Sequence, residues 1–206
     1  RQPGFAGLQH YWMTPWFDRV RFGRWDEIVG RANPAPDLPY VTAIWHYAQA
    51  MAALRQGRME PANEHYAALA KLAADPAFEK MMVWERYPLS LSAHIAERTV
   101  YAELALARGD RDAAIAALGE AVVIEDSIPY DEPPGWHAPV RQTLGVALLE
   151  AGRPADAEAV YREELKRNPG NGWSLRGLAE SLRAQKRGPE AAETEQLLAA
   201  AWANAD

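Results

Sequence analysis

The chain contains no cysteine, which excludes disulfides, thiolate metal sites and a cysteine nucleophile without fixing the compartment. Long apolar runs are also missing. Nothing approaches the 18 or more consecutive apolar residues that a membrane-spanning helix needs. Basic residues are the minority, 22 against 28 acidic ones with a net charge of -6, and no basic stripe stands out. That balance argues against a nucleic-acid backbone as partner. The sequence opens at Arg1 with neither Met nor a signal-like segment, so it reads as part of a longer polypeptide, with cytoplasm and periplasm both open. No G-x-S-x-G, Walker sequence, dinucleotide fingerprint, Ser/Lys dyad or HExxH occurs. The five histidines, His10, His46, His65, His94 and His137, include no pair at the i, i+4 spacing of a helical metal site. Distant segments could bring His46 and His94 together, but a satisfied or exposed imidazole is the more ordinary fate. No metal and no cofactor is expected.

What is present is an alanine-rich, 49% hydrophobic composition that suits helices packed closely through small side chains. The organising stretch is Ala138–Pro169. Leu144, Val146, Ala147, Leu148 and Leu149 load one side of a first segment at helical spacing. Gly152 then permits the turn, and Pro154 suits the first turn of a second helix. Ala157, Val160, Tyr161, Glu164 and Leu165 follow at three- and four-residue steps before Asn168-Pro169-Gly170 closes the unit.

With Ala138 as position 1, small Gly145 falls at 8, Leu148 at 11, Ala157 at 20, Tyr161 at 24 and Pro169 at 32. This pattern resembles the tetratricopeptide repeat, in which small residues at 8 and 20 let paired helices approach. Copies recur. A degenerate first hairpin (about 9–32) has Thr14-Pro15 as a helix entry, Trp16 in place of a small residue, Gly23 at the turn and RWDEIV opening its second helix. The preceding Arg1–Met13, with Phe5, Tyr11 and Trp12, reads as irregular. The second hairpin (40–74) has Ala50, Gly57, Ala62 and Tyr66 in register, the third (93–125) Ala102, Gly109, Ala114, Leu118 and Ala121. The fourth is 138–169. The fifth (172–204) carries Leu178, Ala179, Leu182 and Ala191 and ends in a capping helix from Pro189 to Asn204. There Leu197, Leu198 and Trp202 are expected to face inward, and Glu190, Glu193, Thr194, Glu195 and Gln196 to face solvent. Asp75-Pro76 opens an additional helix, about 77–87, stopped at Pro88. Residues 127–137 form a Pro-rich insert that cannot be helical. The expected fold is therefore all-α: a single α-solenoid domain, a right-handed superhelix of about five antiparallel hairpins.

Three longer phrases, RFGRWDEIV (21–29), PYDEPPGWHAPVRQTLGVALLEAGR (129–153) and EAVYREELKRNPGNGW (158–173), are similar to the C-terminal half of a group of large bacterial tetratricopeptide-repeat proteins. The resemblance implies an architecture rather than an activity. It further implies that positions 5, 9 and 13 of each first helix line a concave groove. Those residues are Phe17 and Arg21; Tyr47, Met51 and Arg55; Thr99, Glu103 and Ala107; Gln142, Val146 and Glu150; and Arg176, Glu180 and Ala184. A protein or extended peptide with apolar side chains and an acidic group could use the aromatic and basic end through stacking and bidentate Arg contacts. The Lys and Asn set that clamps a C-terminal carboxylate in chaperone-binding relatives is not matched. Equally, Phe17, Tyr47 and Met51 could simply fill the tight inside of the coil.

In the insert, Asp131 and Glu132 could accept hydrogen bonds or a cation, and Tyr130 and Trp136 could stack on a ligand. They could also plug the gap between hairpins, and one Asp-Glu pair supplies too few oxygens for a metal. The eight tryptophans, Trp12, Trp16, Trp25, Trp45, Trp84, Trp136, Trp173 and Trp202, read mainly as wedges at joints. Trp45-His46-Tyr47 stands apart, because three successive helical residues cannot all face inward. Carboxylates at Glu125-Asp126 and Glu163-Glu164 read as solvated. The expectation is a non-catalytic scaffold. Its alternative is a small-ligand or metal-dependent activity where insert and groove meet, and self-association through edge helices is a further possibility.

Overall fold

In a computed structural model, residues 6–203 are described; Phe5 and Asn204 lie outside them. The chain divides into two compact units, Arg1–Ala138 and Pro139–Asp206.

The N-terminal unit begins with two short helices, α1 (Ala6–Trp12) and α2 (Thr14–Arg21). Helix α1 replaces the irregular start expected there. Its His10 Nδ1 lies 2.9 Å from the buried Tyr40 hydroxyl, which gives that turn a packing partner. After Gly23, RWDEIV makes only a 3-10 turn, Trp25–Glu27, so the first hairpin has no second α-helix. Its apolar residue, Ile28, is fully buried, and Gln49 Nε2 donates to the Ile28 carbonyl at 2.8 Å. One anchored turn satisfies what a whole helix would otherwise bury.

Helices α3 (Pro39–Arg55) and α4 (Met59–Ala73) form the first full hairpin, and α5 (Leu89–Ala107) and α6 (Arg111–Ser127) the second, with α4 and α3 both packing on α5. The small residues in register, Ala50, Ala62, Ala102, Ala114 and Ala121, are all completely buried. Asp110 caps α6 by accepting from Ala113 N at 3.1 Å. Between the hairpins, the helix expected over about 77–87 is instead a 3-10 turn, Pro76–Lys80, followed by a two-stranded antiparallel pair, β1 (Met82–Val83) with β2 (Tyr87–Pro88). Trp84 and Glu85 take left-handed backbone angles, φ 48° and 60°, to reverse the chain. The reversal lets Phe78, Val83 and Tyr87 all reach the core. Pro88, lacking an N–H, then sits at the entry of α5 rather than at the end of a helix.

The C-terminal unit contains α7 (Val140–Glu150), α8 (Pro154–Arg167), α9 (Gly172–Ala184) and α10 (Gly188–Ala201), each packed on the next, with α7 also on α9. Tyr161 of α8 is 2% exposed and wedged between two glycines. A Cβ on Gly145 would stand 2.3 Å from its ring, and one on Gly177 2.1 Å. Close approach thus depends on the absent side chains on either side of one aromatic ring. The turn after the first helix uses left-handed glycine in three hairpins, at Gly57, Gly109 and Gly152; in the last hairpin Lys186 occupies it at φ 62°.

Two assignments in this unit change. Leu197 is 56% exposed while Thr194 is buried and donates to the Glu190 carbonyl at 2.9 Å. The inner face of α10 is therefore rotated from the expected one. Glu164, expected on a solvated face, is 1% exposed, with Asn168 Nδ2 donating to it at 2.6 Å.

Candidate functional site

The residues at inner-wall positions fall into two environments. In the N-terminal unit, Phe17, Tyr47, Met51, Thr99 and Glu103 are all buried. The insert covers the two rings. Trp136 is 5% exposed, with its ring edge-on to Phe17 at 5.5 Å and to Tyr47 at 5.3 Å between centroids. His137 stacks flat on Phe17 at 4.6 Å, 10° from parallel, and meets Tyr47 edge-on at 5.9 Å. Phe17 and Tyr47 are thus not open surface, as their use by an outside ligand would require. The same burial pushes the Tyr47 hydroxyl well above the usual phenol range, helped by the nearby Glu103 carboxylate and opposed by Arg55 and Arg21. Thr99 turns its hydroxyl back to the Ile95 carbonyl at 2.7 Å. Arg55 Nη2 and Glu103 Oε1 pair at 2.8 Å, so two groups expected to select a ligand satisfy each other across α3 and α5. Arg21 is half-buried, and burial lowers its affinity for its proton.

The insert is fixed by polar contacts near its aromatic residues. Asp131 accepts from Arg86 Nη1 and from the Tyr87 hydroxyl, each at 3.1 Å, and Arg86 also donates to the Tyr130 carbonyl. Ser92 Oγ donates to the Gly135 carbonyl at 2.9 Å in a buried contact. Tyr130 is 77% exposed and its hydroxyl donates to Glu132. Only Trp136 of the two aromatic candidates is therefore packed. Beside the insert lies a cavity of about 250 Å³ bounded by His10, Thr14, Phe17, Arg21, Pro133 and His137. Burial, with the positive charge of Arg21 and then His10, holds the His137 imidazole down at about 3; its Nδ1 is buried without a hydrogen-bond partner among the described residues.

In the C-terminal unit the same positions are largely open. Val146 is 48% exposed, and Glu150, Arg176, Glu180 and Ala184 are exposed. Arg176 Nε and Glu180 Oε1 pair at 3.1 Å along α9. Gln142 is the exception, since its Nε2 reaches Asn171 Oδ1 at 3.0 Å and Ser174 Oγ at 3.3 Å.

One side-chain meeting escaped the sequence. His46 and His65 face each other with their Nδ1 atoms 2.9 Å apart, and the Trp45 ring stands edge-on to both. Burial and then the neighbouring His65 lower the His46 imidazole to about 4. His65, not His94, is the partner because an antiparallel hairpin folding at Gly57 brings residues on opposite sides of the turn together. Reflection of His46 about Gly57 falls within one helical turn of His65. Among the described residues, no group of three or more His, Asp or Glu side chains could hold a metal ion, and no helix is long and apolar enough to cross a membrane.

Sequential antiparallel hairpins, small residues at their crossings and recurrent glycine turns define an all-α, solenoid-type helical-repeat protein. Residues 143–206, spanning nearly all of α7 through α10, match the family model described as Tetratricopeptide repeat. No curated protein and no solved structure matches the chain. The repeat is an architecture of the protein-interaction scaffold type.

Proposed function

We propose that the chain is a non-catalytic scaffold that takes an extended peptide segment of a protein partner on the first-helix face of its C-terminal unit. The observation carrying this is the row of solvent-exposed groups at inner-wall positions of α7 and α9: Val146, Glu150, Arg176 and Glu180. Val146 offers an apolar contact, and the flanking carboxylates favour a basic side chain in the bound segment. Phe17, Tyr47 and Met51 contribute to the N-terminal unit's own packing in this reading. The test is a photo-crosslinking residue at position 146, compared with one at exposed Ala159 on α8, both in the intact protein exposed to extract of its native source. Crosslinking to the same protein from 146 and not from 159 is expected. Equal yields from both positions, or none from 146, would overturn the assignment.

A second reading, a small ligand held beside the insert, draws on the 250 Å³ cavity. Its volume falls just below the usual range for small-molecule sites, about 300–1,000 Å³, and Asp18 lines it together with His10, Thr14 and His137.

A further inference from the structure

Because the first hairpin has no second α-helix, part of α3 and α4 is left uncovered. Trp45, Gln49 and Ala53 recur at four-residue steps on α3 and so form one stripe. Residues 29–32, which follow the 3-10 turn, cover that stripe incompletely. A cavity of about 350 Å³ remains between them, α3 and the start of α4. Its wall is fixed in place: the Arg31 carbonyl accepts from Trp45 Nε1 at 3.0 Å and from Gln49 Nε2 at 3.1 Å. Val29, Trp45 and Pro61 give it apolar surface, while Arg31, Arg58 and His65 give it charged and titratable groups. Among the described residues no carboxylate bounds it.

Elsewhere in the unit arginines meet carboxylates, as Arg55 meets Glu103 and Arg86 meets Asp131. Arg31 and Arg58 do not. Among the described residues neither guanidinium has a hydrogen bond or an ion pair, and both residues are exposed. Two such cations at one cavity attract an anion, against the overall sign of a chain whose net charge is -6. His65 adds a donor. Its Nδ1 is engaged with His46 Nδ1 at 2.9 Å, which leaves Nε2 as the ring nitrogen available to a ligand. When His46 donates the shared proton, His65 carries its own on Nε2 as an N–H. Glu64, whose charge also acts on His65, is exposed and does not bound the cavity.

We infer that this cavity binds a small organic anion, a carboxylate or phosphate carried on a single apolar ring. Arg31, Arg58 and His65 hold the charge, and Val29, Trp45 and Pro61 enclose the ring. The planar guanidinium fork suits either head group. The volume lies near the lower bound for small-molecule sites, about 300–1,000 Å³, which fits one ring rather than a length of peptide. The cavity belongs to the N-terminal unit and the peptide-binding face to the C-terminal one, so either assignment can fail without the other.

The experiment is isothermal titration calorimetry on the full chain with benzoate, phenyl phosphate, inorganic phosphate and benzyl alcohol. At least one aromatic anion should bind, at least tenfold more tightly than inorganic phosphate or benzyl alcohol, and the tighter of the two identifies the head group. Arg58→Gln should weaken that binding at least tenfold. Lys71→Gln, which removes the same charge at the far, exposed end of α4, should leave it unchanged. The Arg58 guanidinium holds no other group in place, so its loss leaves the cavity wall intact. No binding of either aromatic anion at millimolar concentration overturns the inference. So does equal binding of inorganic phosphate or benzyl alcohol, or an Arg58→Gln variant that binds as the unmodified protein does.

Discussion

Tyr161 and its two glycines give the most direct measure of what holds the C-terminal unit together. A methyl group added at Gly177 would lie 2.1 Å from Tyr161 Cζ, and one at Gly145 2.3 Å from the same atom. Neither distance is tolerable, so the ring or a helix must move. Forcing an extra carbon into a packed site costs about 1–3 kcal/mol. Replacing a mid-helix glycine by alanine returns about 1 kcal/mol of helix propensity. Gly177→Ala should therefore destabilise the unit by up to about 2 kcal/mol net, combining the overpacking and propensity magnitudes. Tyr161→Leu removes the Cζ, Cε and hydroxyl atoms that cause the clash. In that background the same Gly177→Ala substitution should stabilise by up to about 1 kcal/mol, because only the propensity gain is left. The difference between the two backgrounds corresponds to a coupling of about 1–3 kcal/mol, within the range for residues in direct contact. Urea unfolding of the four proteins, with hydrogen exchange at α7 and α9 amides to localise the effect, measures it. Additive effects, with Gly177→Ala equally destabilising beside tyrosine and leucine, would refute close approach as the source of stability here.

Two further outcomes follow from the turns and the buried imidazole. Lys186 holds a left-handed backbone angle, φ 62°, where the equivalent turns use glycine, so Lys186→Gly should raise stability by about 1 kcal/mol; a lower urea midpoint would contradict it. His137 is held at about 3 by burial first, while the unfolded chain titrates near 6.5. Because its folded value is depressed, the unfolded state binds the extra proton, and the N-terminal unit should lose stability as the pH falls from about 6.5 toward 3. The loss due to this residue should reach about 2 kcal/mol at pH 5. His137→Gln should shrink the difference between pH 7 and pH 5 by that amount, and an unchanged difference would remove His137 as its cause.

The repeat architecture was legible because it is written in short-range terms. Small residues at matching places in each hairpin, glycine or its left-handed substitute at each turn, and proline or a capping side chain at most helix starts act within one or two helical turns. Ala50, Ala102, Ala114 and Ala157 are completely buried because a crossing of two helices admits nothing larger, and that demand repeats with the hairpin. Periodicity could not distinguish a helix from a reversed strand pair over residues 76–88. The alternatives expose similar side chains locally, and only the core's need for Phe78, Val83 and Tyr87 together selects the reversal. The same holds for α10, where the choice between Leu197 and Thr194 as the inward residue depends on the helix it meets.

Sequence alone thus determined the four full hairpins, though not the fate of the degenerate first one, and why their crossings are tight, since steric limits on backbone approach act between neighbours in the chain. Tertiary structure alone decided where the insert goes. Whether Trp136 covers Phe17 and Tyr47 or leaves them open is settled by aromatic contacts between residues about 90 to 120 positions apart. No local pattern encodes such a contact, because its free energy exists only once separate elements have assembled around one ring.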